Sequence, residues 1–326
     1  MADYKAIIDN MASLNALVIG DVMVDAYIWG SIDRISPEAP VPVVRVHKRD
    51  YRLGGAANVA LNVQAMGASC MLCAVIGNDD ASGHILERMQ INNLDASGLV
   101  RSDHRPTTIK TRVISGHQHV VRVDQETDTP INEQELTQLK QRIDQFLPSA
   151  DVVIFEDYDK GVITQDLISY VVEKASQNNI PVVVDPKKRN FLNYRGVTLF
   201  KPNLKELKEG LNLVFEKTDQ QAIRESVRAL RELLVCDQVM VTLSEQGIYI
   251  DSGQEQNHLP AHMREISDVS GAGDTVISIA ALATALRQSP SIVAALSNLA
   301  GGLVCEHSGV VPINREDLLQ EALKLV

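Results

Sequence analysis

The segment Asp268-Val269-Ser270-Gly271-Ala272-Gly273-Asp274-Thr275 runs straight into Val276-Ile277-Ser278-Ile279-Ala280-Ala281-Leu282-Ala283, an apolar, small-residue run of helical character. Two glycines around an alanine let the backbone turn tightly at a helix start, where free N–H groups point outward and suit a phosphate. Asp274 then stands in the first turn of that helix. A carboxylate beside an anion site repels the anion, so it is a poor ligand for it. It is well placed to take a proton from a hydroxyl that attacks phosphorus. The local chemistry reads as phosphoryl transfer to an alcohol. A lone Gly-x-Gly-Asp also describes a glycine-rich cap with a solvated carboxylate, so the elements that position it have to decide.

Those elements alternate. Residues 1–14 read as a short amphipathic helix, and Asn15-Ala16-Leu17-Val18-Ile19-Gly20-Asp21 as a buried strand ending in a glycine and a carboxylate. Gly54-Gly55-Ala56-Ala57-Asn58 opens a helix, followed by a strand at 70–76 and a helix at 81–92. Helix 133–146 precedes strand 152–155, helix 164–178 precedes strand 181–185, and strands follow near 197–200 and at 238–243. Helices then fill 271–286, 289–307 and 315–325. The pattern predicts an α/β fold with a doubly wound, mainly parallel sheet flanked by helices. Two stretches, about 26–47 and 107–124, read as strands without intervening helices. They predict a small β-sheet lid over the strand ends of a single domain spanning 1–326. In such a sheet the turns after the strands lie along one edge. Asp21, Asp25, Gly54, Gly55, Asn58, Lys187, Asn203, Glu206, Thr242, Ser244 and Gly247 all fall at such turns. Each alone reads as a turn or cap residue, and Asn203 with Glu206 has the spacing of a helix capping box.

Composition narrows the partners. Lys and Arg total 31 against 42 Asp and Glu, a net charge of −11 that argues against broad binding to nucleic acid or anionic membrane. No apolar run has the length of a membrane span, and the amino terminus lacks a signal-peptide pattern. Cys70 and Cys73 form a C-x-x-C inside an apolar strand-like run without a second pair to complete a zinc site. Cys70, Cys73, Cys236 and Cys305 are therefore expected to be buried free thiols, and the location reducing and cytoplasmic.

With these residues in place, the chain resembles the ribokinase-like, PfkB-type carbohydrate kinases over essentially its whole length. The resemblance rests on Gly54-Gly55…Asn58, on Asn203-x-x-Glu206 and on Asp268 to Asp274. Within that family, Gly20-Asp21-Val22-Met23-Val24-Asp25, the stretch Arg34 to Val44, Asp157-Tyr158-x-Lys160-Gly161, Asp185-Pro186-Lys187 and Thr242-Leu243-Ser244-Glu245-Gln246-Gly247 resemble the D-glycero-D-manno-heptose 7-phosphate kinases. Such kinases make heptose 1,7-bisphosphate from ATP for ADP-heptose and lipopolysaccharide precursors. Many are fused to a carboxy-terminal nucleotidyltransferase. A chain ending at Val326 resembles the free-standing kinase.

The resemblance implies roles. Asp274 is the base that activates the anomeric hydroxyl, and Gly271, Ala272 and Gly273 supply an anion hole for the γ-phosphoryl group. Asn203 and Glu206 organise the phosphates and Mg²⁺, Glu206 through water. Thr242, Ser244 and Gly247 border ATP. Asp25, Gly54, Gly55 and Asn58 contact the sugar. The substrate's own phosphate needs cations, for which Lys187, Arg112, Lys110 and Arg34 are the candidates; as surface charges they read equally well. Asp268 and Ser270, a serine where threonine is common, match the start of a K⁺-binding loop. Glu306 stands where a basic residue is usual. His117 and His119 read as a solvated lid edge. Lid strands of the family often pair between subunits, which implies a homodimer. The alternatives are a kinase for fructose, 2-keto-3-deoxygluconate or another hexose, and a catalytically idle sugar- or nucleotide-binding regulator.

Overall fold

A computed structural model describes residues 3–116, 118–262 and 264–325, so His117 lies outside the described residues. Helix α1 (Tyr4–Met11) leads into β1 (Asn15–Gly20). Two long strands, β2 (Val22–Ile35) and β3 (Pro42–Gly55), precede α2 (Ala56–Ala65), β4 (Ser69–Gly77), α3 (Asp80–Ile91) and β5 (Leu99–Ser102). The hairpin β6 (Thr108–Ser115) and β7 (Gln118–Gln125) comes next. Then follow α4 (Glu133–Phe146), β8 (Val152–Glu156), α5 (Gln165–Gln177), β9 (Val182–Asp185) and β10 (Leu199–Phe200). The chain continues through α6 (Leu204–Gly210), α7 (Gln220–Leu234), β11 (Gln238–Thr242), β12 (Ile248–Asp251) and β13 (Gln256–Leu259). It closes with α8 (Ala272–Ala285), α9 (Pro290–Val304) and α10 (Arg315–Ala322).

Nine strands form one sheet in the order β13-β12-β11-β10-β9-β8-β1-β4-β5. Its pairs are parallel from β5 to β11 and antiparallel where β12 and β13 add an edge. The alternation of strands and helices does not announce that edge. β12 and β13 have 4 residues each, joined through a turn with no helix between them. The central strands are apolar at nearly every position because helices cover both faces. Alternate residues then sort into two cores. Val18, Ile154, Val183 and Leu199 pack with α2, α8 and α9 on one face. Ile19, Phe155, Val184 and Phe200 pack with α4, α5 and α7 on the other.

Side-chain caps fix where the helices begin. Asn132 and Glu135 form a reciprocal capping box at α4, and Asn203 and Glu206 form another at α6. Thr164, Asp219 and Asn314 cap α5, α7 and α10.

The four remaining strands form a second sheet, β3-β2-β6-β7. It begins at Val22, one residue beyond β1, and returns at Gly55 directly into α2, so its strands are longer than the alternation of polarity suggests. β2 pairs antiparallel with β3 and parallel with β6, which sets Asp25 between Arg52 and Lys110. Its base is thereby tied to the sheet end where β1 meets α2. All four cysteines are free, but only Cys73 and Cys236 are buried. Cys70 and Cys305 keep part of their surface, a correction to the expectation of four buried thiols. Cys70 sits near the start of β4, before that strand becomes fully covered. Among the described residues, no helix is long and apolar enough to cross a membrane.

Candidate active site

The helix that carries Asp274 begins where the local sequence requires. Gly271 is the residue before α8 and adopts φ 81°, the left-handed region that favours glycine. A β-carbon there would also stand 2.9 Å from Asn58 Nδ2. Gly271 thus admits both the turn and the close approach of α2. One turn on, Asp274 is buried. Asn58 Nδ2 donates to its Oδ2 at 2.7 Å and the Tyr158 hydroxyl to its Oδ1 at 2.7 Å. Burial pushes the Asp274 carboxyl up to about 6; the two donors oppose that rise, and Asp185 and Asp25 add to it. The group is ionised at neutral pH yet far more basic than a solvated aspartate, a combination suited to a general base.

The strand ends beneath it carry the rest. Glu156, Asp185 and Lys201 follow Ile154, Val183 and Leu199 by two residues, so they share the face covered by α8. Glu156 and Asp185 are direct register partners. Lys201 Nζ pairs with Asp185 at 2.7 Å, with both side chains buried. Glu156 is buried as well, and neither of its oxygens has a hydrogen-bond partner among the described residues. Burial, then repulsion from Asp185 and Asp274, raises its carboxyl well above the usual range.

Asp21 is buried at the end of β1. It accepts the backbone N–H groups of Tyr158 (2.9 Å), Lys160 (3.1 Å) and Val162 (3.1 Å) and so pins the turn after β8. Asp157 braces the same turn from below, accepting from Asn190 (3.1 Å) and the Tyr194 hydroxyl (2.8 Å).

From the lid, Gly54 lets β3 pass the Asp25 carboxylate, which a β-carbon would strike. Asp25 pairs with Arg112, and both are largely buried. The Arg112 and Arg52 guanidinium carbons lie 5.3 and 5.0 Å from the centroid of the Tyr27 ring. Lys110 lies 5.5 Å from the centroid of Tyr158, and burial pulls its ammonium down. Asn58 and Asp25 thus face Asp274 directly, Arg112 through Asp25, and Lys110 stands beside Tyr158. Arg34 does none of this: it sits on the exposed outer stretch of β2, beside Asp33, Val43 and Arg45.

Lys187 stands just beyond the end of β9. It lies 5.4 Å from the Tyr158 centroid, and its ammonium engages the Glu206 carboxylate. Burial works against its charge, but Asp185 and Glu206 outweigh it. Glu206 is shared between this pair and the cap of α6, where it accepts Asn203 N–H at 2.8 Å. Cap and site are one structure. Asn203 bridges Thr242, and a cleft of about 630 Å³ is lined by Asn203, Leu204, Lys205, Lys208, Thr242 and Ser244. Gly247 closes the turn into β12, its carbonyl accepting Leu243 N–H at 2.8 Å.

Glu156, Asp185, Glu206 and Asp274 set four carboxylates against Lys187 and Lys201. A buried carboxyl without a hydrogen-bond partner, beside Asp185, suits the oxygen ligands that a hard divalent cation such as Mg²⁺ takes. Among the described residues, no three His, Cys, Asp or Glu side chains form a ready-made metal cage.

Asp268 ties two loops together. It accepts Ser270 N–H and Gly309 N–H, both at 2.9 Å, while the N–H groups of Ser267 and Asp268 donate to the Cys305 carbonyl. Despite burial, those donors and Arg112 hold its carboxyl below the usual range. Glu306 points away into a pair with Arg264 at 2.9 Å.

Sequence reasoning assigned no role to Tyr158, Lys201, Glu156 or Arg52. The first three stand at strand ends, which is the signal that marks them. Arg52 is visible only through the β2/β3 register.

Residues 13–317 match the family of pfkB carbohydrate kinases. A D-beta-D-heptose 7-phosphate kinase of Bordetella bronchiseptica is 39% identical over 322 residues, covering 99% of this chain and 100% of that protein. The bifunctional protein HldE of Syntrophotalea carbinolica is 38% identical over 315 residues, 95% of this chain and 63% of HldE. The chain therefore spans less than two thirds of that bifunctional relative. Escherichia coli phosphofructokinase-2 in complex with substrates and products shares the fold at a TM-score of 0.80 and 19% identity, covering 96% of this chain and 99% of that one. Arabidopsis thaliana ribokinase complexed with ribose and ATP does so at a TM-score of 0.73 and 16% identity, covering 94% and 98%. By its sequence over most of its length, the chain belongs to the pfkB family of carbohydrate kinases.

Proposed function

We propose that this protein transfers the γ-phosphoryl group of ATP to the anomeric hydroxyl of D-glycero-β-D-manno-heptose 7-phosphate, giving the 1,7-bisphosphate. The observation that carries the reading is Asp274. It is buried at the amino-terminal end of α8 and raised to about 6, with Asp25 facing it and Arg112 paired to that Asp25. The relative named for heptose 7-phosphate supplies the substrate.

In this reading Asp274 accepts the proton of the attacking hydroxyl. The backbone N–H groups of Gly271, Ala272 and Gly273 face the charge that develops on the transferred group, aided by the positive end of the helix. Asp25, Gly54, Gly55 and Asn58 hold the sugar. Arg112 and Lys110 face its phosphate, and Arg112 holds its guanidinium in place through Asp25. Lys187 sits on the nucleotide side, paired with Glu206. Thr242, Ser244 and Gly247 border ATP. Glu206 and Asn203 would hold Mg²⁺, which would supply charge screening for the phosphates. Asp268 and Ser270, stitched to the 305–309 loop, would hold K⁺. The free cysteines suit a reducing cytoplasm. The lid exposes Ile32, Ile35, Val41, Val46, Val121 and Val123, and its edge strands β3 and β7 are uncovered, which favours a homodimer through the lid.

The test is ADP release with ATP, Mg²⁺ and a panel of D-glycero-D-manno-heptose 7-phosphate, sedoheptulose 7-phosphate, fructose and 2-keto-3-deoxygluconate. The expected result is strong preference for the first sugar. Preference for a neutral sugar would overturn the heptose assignment and the role of Arg112 and Lys110.

A further inference from the structure

Tyr158 has no part in the steps just described, yet its backbone, ring and hydroxyl are all engaged at the site. Its N–H donates to Asp21, as do those of Lys160 and Val162. Its ring lies near two ammonium groups, Lys110 from the lid at 5.5 Å and Lys187 from the turn after β9 at 5.4 Å. Its hydroxyl donates to Asp274 Oδ1 at 2.7 Å while Asn58 donates to Oδ2 at 2.7 Å. The carboxylate plane is therefore fixed at both oxygens. Each oxygen keeps a second lone pair, so an acceptor hydroxyl can approach without displacing either donor.

Burial, with repulsion from Asp274 and Glu156, raises the phenol well above its ordinary range, so Tyr158 stays a donor at every working pH. The groups that face Asp274 come from several elements: Asn58 on α2, Asp25 on β2, Glu156 on β8 and Asp185 on β9. Lys201 and Lys187 lie beside the latter two. The carboxylates oppose ionisation of Asp274, and the two neutral donors favour it.

We propose that Tyr158 is a positioning residue for phosphoryl transfer, orienting the Asp274 carboxylate toward the acceptor hydroxyl and stabilising its ionised form. The inference rests on Asp274 being the base.

The experiment compares pH profiles of kcat/KM for the wild type, Tyr158→Phe and Asp274→Asn, with ATP, Mg²⁺ and heptose 7-phosphate. Tyr158→Phe keeps the ring near both lysines, and a melting curve checks its fold. The expected result is an acid limb moved up by about one pH unit and a kcat about tenfold lower at unchanged KM for ATP, the loss of one hydrogen bond to a charged group. Incorporation of 3-fluorotyrosine at position 158, a stronger donor, moves the limb the other way and covers the case in which Tyr158→Phe does not fold. An acid limb that stays in place in both variants overturns the proposal. So does faster ATP hydrolysis without sugar in Tyr158→Phe, since the hydroxyl would then be blocking the base. If Asp274→Asn keeps wild-type turnover, the base itself is misassigned and the inference falls with it. A dead Asp274→Asn with an unmoved Tyr158→Phe limb removes only Tyr158.

Discussion

The helix end around Asp274 and the lid above it solve opposite problems. At the helix end, Asp274, Asn58, Glu156, Asp185 and Lys201 are all buried, on elements packed into the main core. Positions there are set by helix–sheet packing, and charges sit where water cannot screen them. The lid has apolar residues exposed on its outer strands and an arginine–carboxylate pair at its base. Its side chains are placed by strand register, and one of its faces has no core to rest on. The difference shows why the two parts are probed separately: one holds its charges by packing, the other by strand register.

The contrast can be broken most sharply at Asp274. Asp274→Asn keeps the shape and removes the base. Turnover is expected to fall about 1000-fold with ATP affinity unchanged, measured by ADP release and by calorimetric ATP titration. Next comes Gly271→Ala. A side chain at φ 81° costs about 1–2 kcal/mol, and the displaced helix start should lower turnover about 100-fold. A melting curve and steady-state kinetics read both effects.

On the lid, Arg112→Ala should raise KM for the phosphorylated sugar about 10- to 100-fold and leave KM for ATP unchanged. Equal effects on both substrates would place Arg112 outside sugar recognition. A gentler probe is pH. The proton must be off Asp274 for it to act, so kcat/KM should fall as pH drops through about 6, and the limb should vanish in Asp274→Asn. The smallest effect belongs to the exposed lid face. Val123→Glu should convert a dimer to monomers in sedimentation, with turnover per subunit unchanged.

These regions also differ in how much of them the sequence reveals. Helix α4 shows in the sequence at 133–146, the bounds the structure gives, and the structure adds the capping box of Asn132 and Glu135 at its start. β8 and β9 show as short continuous apolar runs. The Gly-x-Gly-Asp motif is legible because turn, helix start and carboxylate lie within four residues. The antiparallel edge β12–β13 is not, being two short strands with little pattern of their own.

Contacts across the fold are less legible still. Tyr158 meets Asp274 over 116 residues of chain, through a turn pinned by Asp21, and no local pattern encodes that. Lys187 stands at the strand end its position suggests, but its partner Glu206 comes from α6, a contact that no local pattern announces. Arg34 lies within a segment that resembles its family well, yet the length of β2 carries it out along the lid, away from Asp274.

The central claim is that Asp274 directs the γ-phosphoryl group onto the anomeric oxygen of a sugar that already carries a phosphate. ³¹P NMR of a reaction with ATP, Mg²⁺ and heptose 7-phosphate tests it most directly. The account predicts a second sugar phosphorus resonance, coupled to the anomeric proton, growing in step with ADP for the wild type and absent over the same time for Asp274→Asn. ADP accompanied by inorganic phosphate alone, or an anomeric phosphate formed at the same rate by Asp274→Asn, would contradict it.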